Sequence, residues 1–185
     1  MGRQTNLQVL ALVTALVVAM LMPPAGRATG GRYAFAGGTP RERAEVVHAL
    51  DASSFDWQTV PARITIHIEP GTSSFATPGE IWLDANLLDA GMFAWGVVQH
   101  EYAHQVDFFL LTAPARALLL RRLGATVWCS ETAVRRDQLG CERFASTLAW
   151  AYWPSPENCM RPVKALAASG TQFRKLVSTL IRGGR

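Results

Sequence analysis

"GVVQHEYAHQVDFFLL", residues 96–111, holds two of the chain's four histidines, four positions apart, with a glutamate directly after the first. Apolar residues surround them nearly all round a helical wheel, among them Trp95, Val97, Val98, Tyr102, Ala103, Val106 and Phe109. Such a pattern marks a central buried helix. Side chains four apart on a helix stack on one face, so the imidazoles of His100 and His104 can meet a single ion. His100-Glu101-Tyr102-Ala103-His104 fits H-E-x-x-H, the arrangement in which two histidines bind zinc and the glutamate acts as a general base. A neutral imidazole nitrogen binds zinc at ~2.0–2.1 Å. Glu101 is turned about 100° away from His100, which places it beside the ion rather than on it. Two imidazoles and a carboxylate in so apolar a stretch are costly to bury unless an ion compensates them.

Working outward, "RITIHIEPG" (residues 63–71) alternates Ile64, Ile66 and Ile68 with Thr65, His67 and Glu69, the pattern of a half-buried strand. His67 reads there as a surface residue of the strand. "GTSSFATPG" (residues 71–79) reads as turn chemistry, and "GEIWLDANLL" supplies a second short strand around residues 81–84. Further upstream, Thr39, Pro40 and Glu42 form a capping box. Val46, Val47 and Leu50 share one face after it, which predicts a helix from Pro40 to about Ala52 with His48 on its polar side. "GRYAFAGG" (residues 31–38) reads as a loose arm. Downstream, Thr112 and Gly124 bracket another helix, and a further one over residues 141–153 stops at Pro154 and Pro156. "GTQFRKLVSTLIRGG" makes a last short helix. No repeat, low-complexity tract or linker divides the chain, whose 185 residues favour one domain.

The first 28 residues read separately. Arg3 precedes the apolar run "LQVLALVTALVVAMLM", and Gly26 and Ala28 stand at the −3 and −1 positions of a cleavage site. This is the pattern of a secretory signal peptide cleaved after Ala28, leaving residues 29–185 as the domain. A retained membrane anchor is the alternative. Removing the segment takes away Arg3 and Arg27 and no acid, so the formal charge drops from +4 to +2. So small a charge, with no basic stripe, argues against nucleic-acid binding. Export to an oxidising compartment would allow pairing among Cys129, Cys141 and Cys159. A helix starting at Cys141 would be about 18 Å long, too long for Cys159 to return to its start with ease. Cys129–Cys141 and Cys129–Cys159 are the easier pairs.

A catalytic zinc site needs a third protein ligand and an open position. His48 and His67 lie on polar faces upstream, and no further histidine follows His104, so the third ligand is acidic. Asp107, Glu131, Asp137, Glu142 and Glu157 are the acids available. Asp107 shares the histidine face but lies a turn away. It reads as a residue behind the ligands, orienting an imidazole or tying down the next helix. Glu142 is the preferred ligand and Glu131 the runner-up. Glu142 opens a helix that continues with Ala145, Ser146 and Ala149, small enough for close approach to the first helix.

"HEYAHQVD" followed by "ERFASTLAWAY" resembles the small gluzincin metallopeptidases, in which H-E-x-x-H pairs with E-x-F-A on a later helix. The resemblance covers roughly residues 64–153. It implies His100, His104 and Glu142 as zinc ligands and Glu101 as catalytic base. It implies an α+β fold, with a small mixed sheet of about three strands packed on the H-E-x-x-H helix and a mostly helical C-terminal half. It also implies that the edge strand above that helix, here "EIWLD", would pair with an extended peptide or protein substrate. The expected function is that of a secreted zinc peptidase, with no membrane partner once the signal is cleaved. Tyr152, Arg135, Arg136 and Arg143 are the residues from which an oxyanion donor would come. The competing class is a non-catalytic exported or membrane-anchored module that keeps zinc for stability or partner binding.

Overall fold

The computed structural model describes residues 31–129, 135–162 and 169–183. Strand β1 (Tyr33–Gly37) leads into α1 (Pro40–Ala52), then β2 (Ile64–Glu69), β3 (Phe75–Thr77) and β4 (Glu80–Asp84). Helices α2 (Ala85–Leu88), α3 (Met92–Leu110), α4 (Ala113–Arg122), α5 (Gly140–Tyr152) and α6 (Gly170–Gly183) follow. The architecture is α+β, with the strands gathered early and helices forming the C-terminal half. Residues 1–28, read above as a signal peptide, lie outside the described residues, and no described helix is long and apolar enough to cross a membrane.

The sheet has four strands in the order β1-β2-β4-β3, against the three expected. β1 and β4 run parallel to β2, and β3 runs antiparallel to β4. Two corrections follow. Residues 33–37 are a strand rather than an arm, because Tyr33 and Phe35 register with Ile64 and Ile66 and pack against the core. "EIWLD" is not the edge: the three-residue β3, within the stretch read as turn, covers it. A hairpin through Pro78 and Gly79 forms this edge, and Gly79 takes φ +87°, a conformation that disfavours side chains.

One sheet face is apolar. Ile64, Ile66, Ile68, Ile81 and Leu83 are buried in a single core with Val46 and Leu50 of α1, Val98, Tyr102 and Val106 of α3, and Phe144 and Leu148 of α5. The alternation of β2 places these isoleucines inward and leaves Thr65 and His67 half-buried on the other face. There His67 stacks on Trp82 at 4.7 Å, and Trp82 on Phe75 at 4.6 Å, as strand neighbours in one row. α1 begins and ends as expected, its capping box closed by both Thr39 and Glu42. α3 packs most extensively against α5, where Ala145 and Ala149 are fully buried. The small side chains thus allow the approach that brings Glu142 toward the histidine helix.

Candidate metal centre

α3 carries His100, Glu101 and His104 at its middle, each below a tenth exposed. The first turn of α5 carries Glu142, half-buried beside them. His100 Nε2 lies 3.2 Å from His104 Nε2 and 3.2 Å from Glu142 Oε2, and His104 Nε2 lies 3.8 Å from Glu142 Oε1. Ligand atoms on a tetrahedral zinc with bonds of ~2.0–2.1 Å stand about 3.3 Å apart. The three donors therefore have the spacing that one small ion requires. Among the described residues they are the one group of three or more histidines, cysteines and carboxylates so placed.

The surroundings favour ligation. Ser146 Oγ lies 3.1 Å from His100 Nδ1. A proton on Nδ1, donated to that hydroxyl, leaves the Nε2 lone pair for the ion. His104 is pushed down to about 4 by burial and by the nearby His100, against the opposing pull of Glu142, so its ring is neutral at pH 7. Burial acts to raise Glu142, but its hydrogen bond to His100 and the charges of His104, His100 and Arg136 outweigh it and hold the carboxyl below its ordinary value. Two imidazoles and one carboxylate form a donor set that a transition-metal ion can use.

Glu101 projects from the same turn without joining the ligand group. Burial raises its carboxyl to about 7, with His100 lowering it, Glu142 raising it and Arg136 lowering it again. A carboxyl with its pKa near 7 is matched to taking and returning a proton at neutral pH.

The other acids stand elsewhere. Asp107, 2% exposed, accepts from Arg116 Nε at 2.7 Å and from Trp128 Nε1 at 2.9 Å, and its backbone oxygen accepts from Arg116 Nη2 at 2.7 Å. Of its two expected roles it has the second: it ties α4 and the segment before Cys129 to α3. Asp137 pairs with Arg135, and Glu157 accepts from Ser155 Oγ. Glu131 lies outside the described residues. Cys129 is joined to Cys141, one residue before Glu142, and Cys159 is free.

Two residues about the site were not singled out from the sequence for these roles. Ser146 was valued for smallness, but it lies four residues after Glu142, on the same face of α5, and that spacing was the available signal. Gln105, next to His104 and fully buried, donates to Thr77 O at 2.9 Å and Glu80 O at 3.1 Å and accepts from Gly79 N at 2.9 Å. It clamps the β3–β4 turn onto α3, and nothing local in the sequence announces it. Comparison with known protein families, with curated proteins and with solved structures found no match.

Proposed function

We propose that this chain is an exported zinc-dependent peptidase. The observation that carries the reading is the convergence of His100, His104 and Glu142 at ligand spacing, with the buried carboxyl of Glu101 on the same helical turn. His100, His104 and Glu142 would hold the ion, leaving a fourth position for water. Bound zinc would polarise the scissile carbonyl and acidify the attacking water. Glu101 accepts the water's proton and returns it to the leaving amine as the C–N bond breaks. The buried wall of α3 excludes bulk water from these groups, which strengthens each charge interaction among them. Ser146 holds His100 in one orientation through this cycle.

The Glu101→Gln variant tests the assignment. It keeps the fold and all three ligands, so it should bind zinc in the same stoichiometry as the parent chain. Its hydrolysis of a peptide library should drop by about 100-fold or more, the contribution expected of a general base. Equal cleavage by both proteins would overturn the role of Glu101. Stoichiometric zinc with no cleavage by the parent chain would instead support the non-catalytic module.

A further inference from the structure

We infer that Arg136 is the oxyanion donor of this site, the residue whose guanidinium meets the carbonyl oxygen as negative charge develops on it. The inference rests on the peptidase reading, and it selects one residue from the four the sequence left open.

Arg136 opens a short 3₁₀ turn, Arg136–Gln138, immediately before α5. Its Nε lies 3.7 Å from Glu142 Oε1, the oxygen that stands 3.8 Å from His104 Nε2, so its side chain reaches the edge of the ligand group. Its positive charge acts in one sense, downward, on the pKa of Glu101, His104 and Glu142. The other three are committed elsewhere. Arg143 donates to Asp137 O, Leu123 O and Gly124 O at 2.7–2.9 Å. Arg135 forms a two-point pair with Asp137. Tyr152 sits at the far end of α5, where its hydroxyl donates to Arg174 O and its ring packs on Phe55. Arg136 keeps a side chain 71% exposed, and its contact with Glu142 is longer than a hydrogen bond. Among the described residues, turning the guanidinium toward a substrate oxygen would give up only this long ion pair.

The backbone that carries Arg136 is held firmly. The Cys129–Cys141 bridge fixes the start of α5, and Gly140 N and Cys141 N donate to Val127 O and Trp128 O at 2.9 Å each. Arg143 grips Asp137 O from the following turn. Such anchoring fixes the backbone from which the guanidinium reaches, so only the side chain has to move to meet the oxyanion.

The step balances without any redox change. The water oxygen bonds to the carbonyl carbon as the C=O π pair moves onto oxygen. The water's proton passes to Glu101 and then to nitrogen as the C–N bond breaks. Arg136 keeps all its protons and contributes hydrogen bonds to the oxyanion.

The test compares the zinc-loaded full chain with Arg136→Ala and Arg136→Lys for zinc content, kcat, KM and affinity for a peptidyl phosphinate, a tetrahedral anion. Arg136→Ala should keep its zinc and its KM. Its kcat should drop by about 100-fold or more, and the phosphinate should bind correspondingly more weakly. Arg136→Lys should recover part of both. A raised KM with kcat unchanged would make Arg136 a binder of a substrate carboxylate and overturn the inference. Loss of zinc would show that it acts only through Glu142, and unchanged kcat and phosphinate affinity would reduce it to a surface ion pair. If the parent chain binds zinc and phosphinate but cleaves nothing, the peptidase reading fails by itself. The phosphinate affinities of the variants still decide whether Arg136 is the anion donor.

Discussion

Two residues one turn apart on α3 are displaced by burial in opposite senses, and their effects on stability oppose each other. Glu101 is raised from 4.5 to about 7, so the metal-free folded chain binds more protons here than the unfolded chain does between those values. Stability from this group is present at low pH and is lost as pH rises through that window. His104 is lowered from 6.5 to about 4, so the unfolded chain binds more protons, and stability is lost as pH falls. Between pH ~4.5 and ~6.5 the two slopes largely cancel. Substituting Glu101→Gln should expose the histidine's slope. Denaturant unfolding of the metal-free variant should show a loss of about 2 kcal/mol on acidification from pH ~6.5 to ~4.5. The metal-free parent chain should be nearly flat there. Two equally flat curves would contradict the buried placement of His104. The clustering of His100 and His104, with Glu101 set off from them, was legible in the sequence because the H-E-x-x-H spacing itself encodes which side chains share a face. The contact between Arg136 and Glu142 was not, because it depends on where the Cys129–Cys141 bridge sets the start of α5.

Among the elements, α3 does more than carry the candidate ligands. Through Gln105 it holds the β3–β4 hairpin, and through Asp107 it holds α4. Gln105→Ala would leave Thr77 O, Glu80 O and Gly79 N, in part-buried contacts, without the partner they now share, and each lost hydrogen bond is worth about 0.5–1.5 kcal/mol. The expected outcome is about 3 kcal/mol of lost stability by denaturant unfolding. Amide exchange should speed up first in residues 75–84, since those strands lose their tether. Unaltered exchange there would mean that β3 is held by β4 alone. β2, α1 and the helices after Thr112 could be read from period and caps, since their signals are local. β1 and β3 escaped that reading for different reasons. β1 alternates, but its small and aromatic residues lie among glycines that suggest a loop. β3 spans three residues and exists only because β4 offers it a ladder.

For the molecule as a whole, the ion is expected to act as a tether. Its three ligands come from α3 and α5, the helices with the most extensive mutual packing, and α5 also packs on α6. A ligand held only by the folded state stabilises it by about 2.7 kcal/mol at a hundred times its Kd. For a domain of this size that corresponds to roughly 5–10 °C in thermal midpoint. Dialysis against a strong chelator should lower the midpoint by that amount, and stoichiometric zinc should restore it where magnesium does not. A midpoint indifferent to chelation would remove the metal from the account. The sequence alone determined the buried central helix, its paired histidines with their glutamate, and most helix boundaries, because these follow from periodicity and capping within a few turns of chain. Only the tertiary structure decided that Glu142 reaches the two imidazoles, that β3 rather than β4 forms the sheet edge, that Cys141 pairs with Cys129, and that Arg136 borders the ligand group. Each of these is a meeting of distant segments, set by which apolar faces pack together and not by any local preference of the chain.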